Sequence, residues 1–254
     1  MTCGICIIKK TRNPLCLYLT VAVWLALGCA HRPAATDTIS EFRNVESFDR
    51  LAVSGAMAIR VRIGSGPNVY LRGRNDLVTA TEVRVEDGLL RIRAPKIVLE
   101  EDRISVEVVT PRLTRIHAAT SENISIDFQN AALDDIDIVM TGVGKLAATH
   151  LAARRITAAI SGTGTLDLQG TADHFDFKLA GMGQGNFENL CLDTADVRVH
   201  GMGKITVNAS DALDAIVKGF GRVNYIGTPR LSPMLRGGGS IRAIDVDRNV
   251  CLAV

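Results

Sequence analysis

Aromatic side chains are scarce in this chain of 254 residues: they make up 4% of it and include one tryptophan, Trp24. A core built from such material is thin and filled by Val, Ile, Leu and Ala. A strong excess of charge of either sign is also missing. The formal net charge is +2, which excludes a nucleic-acid binder of the usual basic kind. No window carries a helical apolar stripe beyond a few residues. The five histidines, His31, His117, His150, His174 and His200, share no metal-ligand spacing with one another or with the cysteines, and no Gly-x-Ser-x-Gly elbow offers a serine nucleophile. The composition therefore points to no metal and no cofactor. What the chain does have is glycine, 23 residues of it, within a sequence that is 47% apolar and 22% charged, enough apolar material to exclude intrinsic disorder.

The first 14 residues carry Lys9, Lys10 and Arg12 and no acid, and Leu15 to Leu27 follow without a charge. That run is too short for a bilayer span, which needs roughly 20 apolar residues, and has the length of a signal-peptide core. Leu25-Ala26-Leu27-Gly28-Cys29 resembles the lipobox of bacterial lipoproteins, with Ala26 where that motif usually has Leu. The resemblance implies cleavage before Cys29, acylation of Cys29, and, from Ala30 rather than Asp at the next position, delivery to the outer membrane. The alternative is an ordinary secretory signal with Cys29 incidental. Residues 1–28 are expected to be the signal, 29–43 a lipidated tether, and 44–254 a single domain. Losing residues 1–28 removes three positive charges, so the mature chain carries +2 − 3 = −1. Cys3, Cys6 and Cys16 leave with the signal, so only Cys191 and Cys251 remain besides Cys29.

The body of the chain is a repeat. A Gly-x-Gly triplet recurs at 142–144, 162–164, 181–183, 201–203, 219–221 and 237–239, with spacings of 20, 19, 20, 18 and 18 residues. Each lies within an alternating apolar–polar segment, the signature of strands. Units of this length predict an all-β fold, a parallel β-solenoid with one coil per unit. A propeller blade needs about 40 residues, and the Leu-x-x-Leu-x-Leu frame of leucine-rich repeats is missing. The glycines share the parity of core residues such as Ala158, Ile160, Leu166 and Leu168, so they are expected to face inward, at a corner or a pinch where backbones approach. Asp87-Gly88 predicts a hairpin in the less regular first part. On such a stack Cys191 and Cys251 stand about three coils, or about 14 Å, apart, beyond the roughly 7 Å that a disulfide spans, and are expected to stay unpaired unless the C-terminal tail folds back.

Phe48-Asp49-Arg50-Leu51-Ala52-Val53-Ser54-Gly55, Asp87-Gly88-Leu89-Leu90-Arg91-Ile92, Val109-Thr110-Pro111-Arg112-Leu113, Ser161-Gly162-Thr163-Gly164 and Val223-Asn224-Tyr225-Ile226-Gly227-Thr228-Pro229 together resemble the auto-transporter adhesin head domains called GIN domains, over about residues 44–244. The resemblance implies a bacterial envelope protein with a β-helical fold and an adhesin-like role. It supplies no catalytic residues. Val143, Met182, Met202 and Phe220 depart from the family's usual polar residue between the glycines.

None of the triplets completes a dinucleotide-binding Gly-x-Gly-x-x-Gly, and no helix follows to meet a phosphate. A carbohydrate-active enzyme is the rival class, since glycosidases need two carboxylates across a cleft. Asp134, Asp135 and Asp137 cluster, as do Asp173 and Asp176, but on polar faces where acids are simply solvated. Arg60, Arg62, Arg72, Arg74, Arg91 and Arg93 could form an anion-binding ladder, or a solvated face interleaved with Asp76, Glu82 and Glu86. The remaining candidate is the residue between the glycines. Val143, Thr163, Met182, Met202, Phe220 and Gly238 occupy equivalent positions and stack into one outward file about 24 Å long, either a contact stripe for a partner or a seam covered by residues 231–235 or 250–254. The expected partners are the membrane, through the anchor, and a glycan, a protein or a second copy of the chain. If Cys29 is acylated, Cys29→Ser abolishes labelling by an alkynyl palmitate analogue and leaves uncleaved precursor; unchanged labelling overturns the anchor.

Overall fold

The computed structural model describes residues 38–95, 104–245 and 251. From Asp37 onward the chain forms one compact unit, and the buried apolar side chains among the described residues pack into one continuous core within it. It is the parallel β-solenoid that the repeat predicts. Four long strands, β11 (Lys145–Gly162), β12 (Thr165–Gly181), β13 (Gln184–Gly201) and β14 (Lys204–Gly219), are successive coils. They pair in parallel, with Lys145, Thr165, Gln184 and Lys204 in one register. Below them lie β9 (Asn123–Asp127) and β10 (Ala132–Met140); above them lie β15 (Arg222–Ile226), β16 (Arg230–Arg236) and β17 (Ser240–Ala243).

The alternation of buried and exposed side chains explains the coil. In β11, Leu146, Ala148, Leu151, Ala153, Ile156, Ala158 and Ile160 face inward. The alternation breaks at Thr149-His150, at Arg154-Arg155 and at Ser161-Gly162-Thr163, and a break in parity turns the chain. Columns of inward residues run through the stack, for example Ile59, Ile124, Leu146, Leu166, Gly185, Ile205 and Val223. Where a column is too thin, a neighbour fills it. A Cβ on Gly185 would stand 2.7 Å from the Phe187 ring, and Phe187 packs edge-on against Phe175 and Phe177 with centroids 4.8 and 4.9 Å away. Three of the chain's few aromatics are spent on this one knot.

The N-terminal part is more involved than a simple continuation. β2 (Arg50–Gly55) and β3 (Met57–Ile63) make one coil, but its neighbours are β8 (Arg115–Thr120) and β9 on one side and β6 (Leu89–Arg93) and β7 (Ile104–Thr110) on the other. Stacking order is therefore not chain order. Antiparallel strands close this end: β4 (Asn68–Arg74) on β7, β1 (Thr38–Asn44) on β4, and β5 (Glu82–Glu86) on β6. The turn between β5 and β6 is the Asp87-Gly88 hairpin, both residues at positive φ. A short helix, α1 (Asn75–Ala80), buries Leu77 and Val78 against the cap. The Arg43 guanidinium donates to the carbonyls of Val78 and Thr81 and to the Glu41 carboxylate, which satisfies backbone acceptors left open at the helix end.

Two expectations are corrected. The stretch 29–43 is not all tether, because β1 begins at Thr38; of its half-buried residues, Ile39 packs on the core, and Arg43, paired with Glu41 on the same strand, hydrogen-bonds the carbonyls of Val78 and Thr81. Cys191 and Cys251 are not free thiols but a disulfide, with Cα atoms 5.4 Å apart. Coil counting fails here because Cys251 is not on a coil. Eight Cα-to-Cα steps separate it from Ala243 at the end of β17, a reach of up to about 26 Å at roughly 3.3 Å each, ample to return to β13.

Two measurements follow. At Gly201, φ is +132° and a Cβ would lie 2.1 Å from the Gly181 carbonyl oxygen. Gly201→Val is expected to cost at least about 1–3 kcal/mol in thermal denaturation, whereas the outward Thr163→Val stays within about 0.5 kcal/mol; equal melting of both means that the glycine corner is not closed. The disulfide spans a sequence separation of 60 residues, so Cys251→Ser is expected to lower stability by about 2–4 kcal/mol and to remove the sensitivity of melting to reductant. Two free thiols in the non-reduced parent overturn the pairing.

Candidate functional site: an exposed corner ladder

From Gly162 onward the Gly-x-Gly corner repeats with parallel hydrogen bonding through it. Met182 N–H donates to the Gly162 carbonyl at 2.9 Å, Met202 to Gly181 at 3.0 Å and Phe220 to Gly201 at 2.9 Å. The carbonyl oxygen of the glycine one coil below occupies the place where a Cβ on the glycine above would stand: 2.9, 2.4, 2.1, 2.6 and 2.4 Å away for Gly162, Gly181, Gly201, Gly219 and Gly237. These first glycines all have φ between +120° and +135°, a region that side chains rarely adopt. The second glycines, Gly164, Gly183, Gly203 and Gly221, are buried, and a Cβ there would press on core side chains: Met140, Ile160, Leu179 and Val199 respectively. The inward parity expected of the glycines holds for the second of each pair; the first sits at the turn itself.

Between two such glycines the middle side chain can only point out. Val143 is 65% exposed, Met182 57%, Met202 59% and Phe220 72%, and Thr163 is exposed as well. No described residue covers them. Residues 231–235 form part of β16 on the terminal coil and do not cover the file; of the other expected cover, Cys251 is tied to Cys191 on β13, and residues 250 and 252–254 lie outside the described residues. The file ends where the Phe220 ring leans over Gly238, 2.8 Å from where a Cβ would be.

The other candidates are engaged elsewhere. Asp137 pairs with Arg115 at 3.1 Å and Asp135 with Arg154 at 3.9 Å. Asp176 holds Arg198 at 3.0 Å and Lys178 at 3.8 Å. His174 lies 2.9 Å from the Thr194 hydroxyl and 3.6 Å from Asp196. The arginines form no common ladder: Arg60 pairs with Glu107, Arg74 with Asp76 and Arg91 with Glu86. Three carboxyls are held below their ordinary values, Glu41 by hydrogen bonds from Arg43, Asp76 by Arg74 and Asp127 by the His150 imidazole. A lowered value is the opposite of what a glycosidase's general acid needs. Among the described residues no group of three His, Cys, Asp or Glu side chains could hold a metal ion.

Residues 47–229 match the model of the family described as "Putative auto-transporter adhesin, head GIN domain". The chain belongs to the GIN-domain family. Solved structures share the fold. One described as a putative adhesin from Bacteroides fragilis is 24% identical, with a TM-score of 0.76 over 83% of this chain and 98% of that one. Another from Parabacteroides distasonis, described as a putative lipid binding protein, is 18% identical with a TM-score of 0.64 over the same shares. A third, a putative adhesin from Parabacteroides merdae, is 14% identical with a TM-score of 0.62, again over 83% and 98%. No functionally curated protein matches the chain. The GIN-domain membership gives an adhesin-like, non-enzymatic character and an envelope or cell-surface setting at the family's own level of description. The family model ends before the last triplet, so the C-terminal end of the corner file lies outside it.

Proposed function

We propose that this GIN-domain protein is a lipid-anchored, non-catalytic binding protein of the bacterial outer membrane or cell surface, and that the corner file Val143, Thr163, Met182, Met202 and Phe220 is its contact surface. The anchor is Cys29, on the lipobox-like sequence; with two or three acyl chains it holds durably where one chain would not. The observation that carries the contact surface is the exposure of four large apolar side chains, at 57–72%, in one file along the fold. Scattered exposed apolar residues are ordinary, but a contiguous file marks an interaction site, and unbranched Met adapts to irregular partners. The relatives described as putative adhesins support the same reading. A carbohydrate-active enzyme has less behind it, since Asp135, Asp137 and Asp176 of the clustered carboxylates are paired with cations.

The test is the triple variant Met182→Ser, Met202→Ser, Phe220→Ser in residues 30–254. It is expected to melt within a few degrees of the parent, because the replaced groups are mostly in water, and to lose binding to intact bacterial cells measured by flow cytometry. Melting far below the parent makes the file part of the core, and undiminished binding to cells places the contact elsewhere; either result overturns the assignment.

A further inference from the structure

Charge is distributed unevenly along the corner file. On each coil one outward residue precedes the triplet and one follows it. In chain order these pairs are Thr141 and Lys145, Ser161 and Thr165, Ala180 and Gln184, His200 and Lys204, Lys218 and Arg222, then Arg236 and Ser240. The first three coils place one cation beside the file; the last three place Lys204, Lys218, Arg222 and Arg236 there, with His200. These five side chains are exposed, and none makes an ion pair or side-chain hydrogen bond among the described residues. The coils are held in register by the parallel ladder, so the cations form two rows flanking Met202 and Phe220, about 4.8 Å from coil to coil.

Acids stand away from this end. Asp167 is occupied by Lys145 at 3.5 Å. Asp176, Asp196 and Asp214 share one register position, five residues before each first glycine and so about 16 Å away along the strand. Asp176 is neutralised locally by Arg198 and Lys178. The next residues of this register on the other side, half-buried Asn186, buried Thr206 and half-buried Asn224, are neutral, followed by Arg242.

We infer that the C-terminal half of the corner file docks on an anionic lipid surface, with Met182, Met202 and Phe220 entering the boundary between headgroups and acyl chains and Lys204, Lys218, Arg222 and Arg236 meeting the phosphates. The inference rests on the file being a contact surface and names its partner. Apolar tips between flanking cations match the layering of an anionic membrane, apolar inside and negative at its surface. Long Lys and Arg stems let the charge stay at the headgroups while the tips go deeper. A glycan fits less well, because the middle of the file at this end carries no hydrogen-bonding side chain beyond the weak thioether acceptors, and only one ring for stacking. A second copy of the chain fits less well too: two such corners face to face bring basic rows together, and like charges across an interface oppose association.

Residues 30–254, which lack the anchor, are sedimented with vesicles of phosphatidylcholine alone and of phosphatidylcholine with about a third phosphatidylglycerol. The parent is expected to partition at least tenfold more strongly into the anionic vesicles and to lose that preference as salt rises from about 0.05 to 0.5 M. The serine triple variant and the charge-reversed Lys204→Glu, Lys218→Glu, Arg222→Glu, Arg236→Glu variant are each expected to lose at least tenfold, while Arg60→Glu with Arg72→Glu, at the other end, leaves binding unchanged. A serine variant that melts far below the parent overturns the contact surface and this inference with it; when it folds, the charge-reversed variant and the salt dependence decide the partner. Equal partition into both vesicles, or an equal loss from the distant pair, overturns the inference. A parent that binds neither vesicle, while the serine variant still loses binding to cells, overturns the lipid partner and leaves the corner as a contact surface for another.

Discussion

Everything else in this fold depends on the close approach of backbone to backbone at the glycine corner. A parallel ladder that is to run unbroken around a coil must carry its hydrogen bonds through the turn. Here it does so by setting each first glycine against the carbonyl of the one below, 2.1–2.9 Å from where a Cβ would be. The contact excludes every side chain at that position, forces positive φ, and so fixes the turn on coil after coil. It also sets the register. Once Gly162, Gly181, Gly201 and Gly219 are stacked, the inward columns of Leu, Val and Ile are aligned for the whole length of the coil. In a sheet a slip of one residue would put every core side chain in water; the glycine stack makes that slip sterically impossible at one point per coil.

A narrow coil leaves room for one layer of side chains, which is why the composition is so aliphatic. The exceptions show how volume is conserved. Phe177 follows Ala158 in one column and Phe187 reaches into the space above Gly185. Large and small residues compensate both between neighbouring coils and within one, as dense packing requires. Both ends need a different solution, because an end coil has nothing on its outer side. At the N-terminus the antiparallel strands and α1 cover it. At the C-terminus, β16 carries Pro233 and is flanked by Arg230 and Arg236, and an imino acid and charges on an edge strand discourage pairing with other chains.

The coils from residue 116 onward were legible because their rule is steric and local. A glycine demanded by a neighbouring carbonyl recurs at the coil period, and alternation around it tells inside from outside. The exposure of Met182, Met202 and Phe220 was legible for the same reason. The rest was not, because it rests on long-range choices that leave no periodic trace. Nothing local tells β2 and β3 to lie between β6–β7 and β8–β9. The strand β1 turns half-buried Glu41 and Arg43 toward the fold, so it does not look like a strand with an apolar face. The link from Cys191 to Cys251 depends on a tail that leaves the repeat, where a position in the period no longer gives a position in space. The cationic rows were present in the sequence as His200, Lys204, Lys218, Arg222 and Arg236, but they become a surface only when the register sets them side by side.

The corner separates what the fold requires from what it permits. The glycines are dictated by backbone contacts, whereas the residue between them touches almost nothing, as its exposure shows. Thr163 and Gly238 hold the same place in the repeat with a polar side chain or none, so the turn itself does not need Met or Phe there. An apolar side chain left in water gains nothing from folding, since the stabilisation comes only from apolar area removed from water. Burial therefore cannot account for Val143, Met182, Met202 and Phe220. On the contact-surface reading proposed above, their chemistry answers to a partner that meets the surface from outside, and the cations gathered around the last of them narrow what that partner can be.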